Sequence, residues 1–202
     1  MIRRLAAAGL LLAGVACAPG GKYMIRSGYT PPPLAAVLMF DNASNDLDAG
    51  DIVRYWFDQG LVNKKGYRTI PLADVDAVLE RHGIKDGGQL PSLTPQVLGK
   101  ELNVPALIYG EVLDFDYQTT GFVNVRKVRA RFWMVDAATG ERLWEVEGTG
   151  ANSTAALSTE GALRAGVHAL GSQLVDKATS CPLQPEVWDM VWDAIQFLPR
   201  GR

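Results

Sequence analysis

Between Val123 and Asp136, apolar Val128, Ala130, Phe132 and Met134 alternate with Lys127, Arg129 and Arg131. A period of two puts one set on each face of an extended strand, so this segment is expected in a sheet with one face buried. Its neighbours extend the argument. Ala106 to Tyr117 is rich in β-branched and aromatic residues and is joined to it by the polar run Gln118-Thr119-Thr120-Gly121. Ala137-Ala138-Thr139-Gly140 then turns the chain into Arg142 to Val146. Three such runs with polar turns between them predict an antiparallel meander.

Upstream the pattern changes to alternating strand and helix. Leu34 to Phe40 is a continuous apolar run, suited to a strand covered on both faces. Asp48 to Asn63 reads as a helix with Ile52, Val53, Trp56, Phe57 and Gly60 on one side, ended by Lys64-Lys65-Gly66. Tyr67 to Leu72 reads as a short strand and Ala73 to His82 as a helix with Val75, Val78 and Leu79 inward, closed by Gly83. After the loop Lys85 to Gly88, Thr94 caps a third helix whose first position is Pro95 and whose inward residues are Leu98 and Leu102. The order predicts an α/β fold with a mixed sheet in two or three layers. A βαβααβ core, with its first three strands parallel and its crossovers right-handed, leads into the antiparallel β-meander. Gly148 to Ser158 reads as a polar loop, followed by two C-terminal helices, Thr159 to Thr179 and Glu186 to Phe197.

The N-terminus carries a different signal. Arg3 and Arg4 precede an apolar run from Leu5 to Val15, and small Ala16 is followed by Cys17. That is the pattern of a secretory signal, too short to remain as a membrane span. Residues 1–16 are therefore expected as a signal peptide, 17–33 as a Gly- and Pro-containing tether and 34–202 as a single domain. Gly14-Val15-Ala16-Cys17 resembles a bacterial lipobox, although Gly14 stands where Leu is usual. The resemblance implies that Cys17 is acylated and, with Ala18 rather than Asp after it, that the anchor lies in the outer membrane. An unacylated exported protein and a Cys17–Cys181 disulfide are the rival readings.

Chemistry is sparse. His82 and His168 are the two histidines, with no Ser or Cys motif beside them and no metal-ligand spacing, so no catalytic residue, metal or cofactor is expected. A net charge of −2 argues against nucleic acid as partner. The oxygen-rich segment Asp41 to Asp48, with Asp41, Asn42, Asn45 and Asp46, leaves the C-terminal end of a buried strand, where open α/β sheets bind ligands. Turn formation and helix capping explain the same residues. In the last helix Trp188, Val191, Trp192 and Ile195 recur at helical spacing, which suits core packing, a protein interface or the bilayer surface. Arg126, Lys127, Arg129 and Arg131 form either a solvated sheet face or a second contact surface for an acidic partner or lipid headgroups.

Four segments, Ala36 to Asn42, Gly66 to Arg68, Leu107 to Val112 and Val135 to Trp144, stand in this order behind Cys17. Together they resemble bacterial lipoproteins of unknown function related to the curli-secretion CsgG family and to the TolB N-terminal domain. The resemblance implies a compact α/β domain facing the periplasm, dimeric or oligomeric, that serves envelope assembly or export without a catalytic centre. The leading expectation is a non-enzymatic outer-membrane lipoprotein that scaffolds periplasmic or outer-membrane protein partners. The alternative is a periplasmic protein that binds a small ligand or cation through Asp41 to Asp48.

Overall fold

The computed structural model describes residues 22–120, 123–155, 171 and 183–201. The strands are β1 (Tyr23–Ile25), β2 (Ala35–Val37), β3 (Asp41–Asn42), β4 (Ala106–Thr120), β5 (Val123–Asp136) and β6 (Arg142–Ala155). The helices are α1 (Ala49–Gly60), α2 (Leu72–Arg81), α3 (Pro95–Leu102) and α4 (Gln184–Ile195). One sheet runs in the order β1-β6-β5-β4-β2, with β3 also beside β4. The meander β4-β5-β6 is antiparallel, and β2 and β3 pair with β4 in parallel, so the mixed α/β architecture follows the expected plan.

Local chemistry accounts for the helix ends. Thr94 extends before α3 and its hydroxyl accepts from the Val97 N–H at 3.4 Å, with Pro95 at the first turn. After α1 a π-helical turn, Leu61–Lys65, closes on Gly66, whose φ of 72° suits a residue without Cβ. Val75, Val78 and Leu79 of α2 and Leu98 and Leu102 of α3 are buried as their spacing requires.

Two cores flank the sheet. On one face Phe57 of α1 stacks on Phe132 of β5 at 3.8 Å between ring centroids, and Val187, Met190, Val191, Ala194 and Ile195 of α4 complete that core. On the other face α2 and α3 cover Ala36, Leu38 and Leu107. Val128, Ala130, Phe132 and Met134 are fully buried, as the alternation predicts.

Several local expectations are corrected. Leu34 to Phe40 is divided: β2 pairs with Ala106–Ile108 and β3 with Glu111–Val112, and between them the chain uses one residue more than β4 does. That bulge turns Asp41 out of the core. The strand expected at Tyr67 to Leu72 is reduced to one parallel bridge, Thr69 to Ala35, because α2 starts at once behind Pro71, which has no N–H to give a ladder.

The loop expected from Gly148 is instead the second half of β6. Its glycines are required there. A Cβ on Gly148 would stand 2.1 Å from the Met190 carbonyl oxygen and one on Gly150 1.9 Å from that of Glu186, so α4 lies directly on the strand's backbone.

The stretch expected as a tether also joins the domain in part. Tyr23–Ile25 pairs with Trp144–Val146, and the Tyr29 hydroxyl accepts from Trp144 Nε1 at 3.2 Å and lies 3.1 Å from the Tyr67 hydroxyl. Cys17, His168, Cys181 and, apart from Gly171, the helix expected at Thr159 to Thr179 lie outside the described residues.

Candidate functional site

α1 and α4 lie against each other on one face of the sheet, and a glycine sets their distance. A Cβ on Gly60 would meet Val191 Cγ1 at 2.6 Å, so the helices approach closely there. Val191 and Ile195 consequently belong to the core and are wholly buried. Of the two tryptophans of the same stripe, Trp188 packs partly against this core and Trp192 is exposed. Trp188 is half-buried and packs edge-on against Trp56 at 5.8 Å, with Lys64 Nζ 5.8 Å above its ring. Trp56 in turn meets Tyr55 edge-on at 5.5 Å. Tyr55 and Trp192 are each 51% exposed.

Trp192 stands one helical turn beyond Trp188. Tyr55, Trp56 and Trp188 are thus linked edge to edge across two helices, with Trp56 and Trp188 partly buried against the core and Tyr55 and Trp192 exposed. Trp56 lies on the apolar face of α1 as its spacing predicts, packed partly against the core, whereas Tyr55 falls outside that stripe. The available signal was the adjacent Tyr55-Trp56 pair, of which only one residue can follow the apolar stripe.

The basic residues of β5 divide between the two faces. Arg126 falls in step with Val128 and is 3% exposed, so its expected place on the outer face is incorrect. Its guanidinium Nε donates to Glu186 Oε1 of α4 at 3.0 Å and its Cζ lies 5.4 Å from the centroid of the Tyr117 ring. Lys127 and Arg129 converge on Asp114 Oδ2 at 2.9 and 2.7 Å, Arg129 also reaches Glu147 at 3.4 Å, and Arg131 pairs with Glu111. Burial pushes the Asp114 carboxyl up, but hydrogen bonds from Lys127 and Arg129 outweigh it and hold it below the usual aspartate value. Asp114 and Glu147 hold Arg129 more firmly protonated, and Glu111 does the same for Arg131. This face is a cross-strand ladder of alternating charge rather than a positive patch.

Around Asp41 the side chains satisfy their own loop. Asn42 Nδ2 donates to the Asp46 carbonyl at 2.7 Å, Ser44 Oγ donates to Asn42 Oδ1 at 2.7 Å, and Asp46 Oδ1 accepts from the Asp48 N–H at 3.0 Å. Asn45 is exposed at the bend. Among the described residues no three His, Cys, Asp or Glu side chains are grouped to hold a metal ion. Asp41 itself borders a cleft of about 500 Å³ shared with Gly88, Thr94, Tyr109 and Trp133. Tyr109 and Trp133 lie nearly parallel there, 5.8 Å apart, and burial pushes the Tyr109 hydroxyl up to about 12. His82 stands exposed at the C-terminus of α2, away from this cleft's lining.

Residues 30–184 match the family described as "Putative lipoprotein GNA1162-like". The chain belongs to the GNA1162-like lipoprotein family. The crystal structure of lipoprotein GNA1162 from Neisseria meningitidis is 21% identical, with a TM-score of 0.56 over 72% of this lipoprotein and 99% of that chain. A PelC dodecamer from Paraburkholderia phytofirmans, in a leucine-to-methionine variant, is 14% identical, with a TM-score of 0.50 over 90% of this chain and 98% of the other. These structures share the fold. No curated protein matches the lipoprotein's sequence. The expectation of a bacterial lipoprotein agrees with the family, and among the described residues no helix is long and apolar enough to cross a membrane.

Proposed function

We propose that this lipoprotein is a non-enzymatic envelope protein, held on the periplasmic face of the outer membrane by acyl chains on Cys17 and acting through contacts with other proteins. The observation that carries the reading is the family match over residues 30–184 behind the signal-like run that ends at Cys17. The contact surface is the aromatic set Tyr55, Trp56, Trp188 and Trp192, because large amphipathic rings gathered on a rigid two-helix face are the side chains that anchor protein interfaces. A second copy of the chain or another envelope protein is the occupant, and the dodecameric state of PelC supports an oligomer. A kinship with CsgG and the TolB N-terminal domain, read from the four sequence segments, fits a place in envelope assembly or export.

Mass spectrometry of the mature N-terminus tests the anchor; a terminus away from Cys17, or an unmodified Cys17, overturns it. Photo-cross-linking from position 192 in intact cells tests the contacts. Specific adducts that Tyr55→Ser removes are expected, and the absence of any adduct overturns the reading.

A second reading is carried by the cleft beside Asp41, which would take a small organic molecule against Tyr109 and Trp133 rather than a bare cation. A rise in melting temperature with such a ligand, lost in both Asp41→Ala and Trp133→Ala, is its expected signature.

A further inference from the structure

The distance between the anchor and the fold is set by very few residues. The Glu147 N–H donates to the Lys22 carbonyl at 2.9 Å, and Tyr23 begins the pairing with β6, so the chain is held in the sheet from Lys22 onward. Only Ala18, Pro19, Gly20 and Gly21 separate Lys22 from Cys17. Fully extended, five residue steps span no more than about 18 Å. The headgroup layer on each side of a bilayer is itself about 5–7 Å thick. An acylated Cys17 therefore holds Lys22 within about 11–13 Å of the outer boundary of the headgroups at full extension, which keeps the edge formed by β1 near the lipid surface.

What that edge displays suits the position. Tyr23 is 58% exposed and stacks face to face on Phe197, itself 38% exposed, with 4.6 Å between centroids. Met24 is 43% exposed on the opposite side of the strand, and the Lys22 side chain is 81% exposed at its end. Aromatic rings favour the headgroup region and a lysine can extend its amine to lipid phosphates. The nearby carboxylates are already engaged: Glu145 pairs with Arg142, and Glu147 with Lys22 and Arg129, so they add little repulsion from anionic headgroups.

We propose that the β1 edge, with Lys22, Tyr23, Met24 and Phe197, is the membrane-facing side of the domain and rests on the phospholipid headgroups around the anchor. This rests on the acylation of Cys17 proposed above. It fixes an orientation as well, since β2 and the helix α2 packed on it lie four strand spacings away, about 19 Å across the sheet.

The test uses the full-length lipidated chain carrying Cys181→Ala, reconstituted in phosphatidylethanolamine and phosphatidylglycerol vesicles. A nitroxide is attached at Met24→Cys, at Lys22→Cys or, as the remote control, at Glu80→Cys on α2. Collisions with lipid-soluble oxygen are compared with those of a water-soluble nickel chelate. The oxygen-to-nickel ratio is expected to be at least about threefold higher at 22 and 24 than at 80, since both reagents change steeply across the headgroup layer. Equal ratios at all three positions on a preparation whose mass shows acylated Cys17 overturn this proposal alone. An unmodified Cys17 overturns the anchor and this proposal together.

Discussion

Arg126 of β5 and Glu186 of α4 meet at 3.0 Å between Nε and Oε1, with each side chain only 4% exposed. The pair joins the centre of the meander to the C-terminal helix, and Glu186 Oε2 has no hydrogen-bond partner among the described residues. Removing one member strands a charge in the interior, whereas an apolar pair of similar volume avoids the desolvation of both. Arg126→Ala is expected to cost about 3–5 kcal/mol in urea unfolding. Arg126→Met combined with Glu186→Leu is expected to be no less stable than the parent. A double variant as unstable as the single one contradicts this account.

Gly150 supplies a prediction of opposite chemistry. Alanine there adds a methyl group in the space held by the Glu186 carbonyl, so α4 must shift or the strand must bend. Gly150→Ala is expected to lower stability by about 1–3 kcal/mol, and its near-ultraviolet circular dichroism should change as Trp188 and Trp192 move with the helix. Gly83→Ala is the contrasting case. Nothing lies within 4 Å of its Cβ position, and only its φ of 75° opposes the change.

The charge ladder predicts a pH dependence. Asp114 has a folded-state pKa held below its ordinary value, so it binds a proton less readily in the folded chain than in the unfolded one. Its contribution is fully present above the ordinary aspartate range and is lost as pH falls through the depressed value. The urea midpoint should fall as the pH drops below the ordinary aspartate range, and Asp114→Asn should flatten part of that fall. An unchanged profile in Asp114→Asn would show that the ladder does not stabilise the fold.

The aromatic surface separates binding from stability. Tyr55 and Trp192 are half exposed, so Tyr55→Ser and Trp192→Ser are each expected to cost no more than about 1 kcal/mol in thermal unfolding. Capture of protein partners, or self-association in analytical ultracentrifugation, should fall at least about tenfold if these rings anchor the interface. Trp188→Ser should affect both quantities, since Trp188 also packs on Trp56.

Periodicity made most of the fold legible. The alternation from Val128 to Met134 and the stripes of α1, α2 and α3 each name buried residues that the structure also buries. The same rule carried one step further places Arg126 inward with Val128; grouping it with its basic neighbours by charge alone put it outside. Gly148 and Gly150 read as loop because glycine weakens an isolated strand, and the reason to keep them is α4, about forty residues away in sequence. The stripe on α4 was similarly ambiguous. Helical spacing groups Trp188, Val191, Trp192 and Ile195, but the packing around α4 leaves Val191 and Ile195 fully covered, Trp188 partly covered and Trp192 exposed.

The sequence by itself determined the helices α1 to α4, the parallel start and antiparallel finish of the sheet, and the lipobox-like Cys17, because local propensity, apolar period and turn residues act over a few positions. The tertiary structure decided the bulge at Asp41, the pairing of Tyr23–Ile25 with β6, the burial of Arg126 against Glu186 and the exposure of the aromatic surface. Those features depend on which backbone or side chain arrives from a distant part of the chain, and close packing between distant segments leaves no periodic mark in either one.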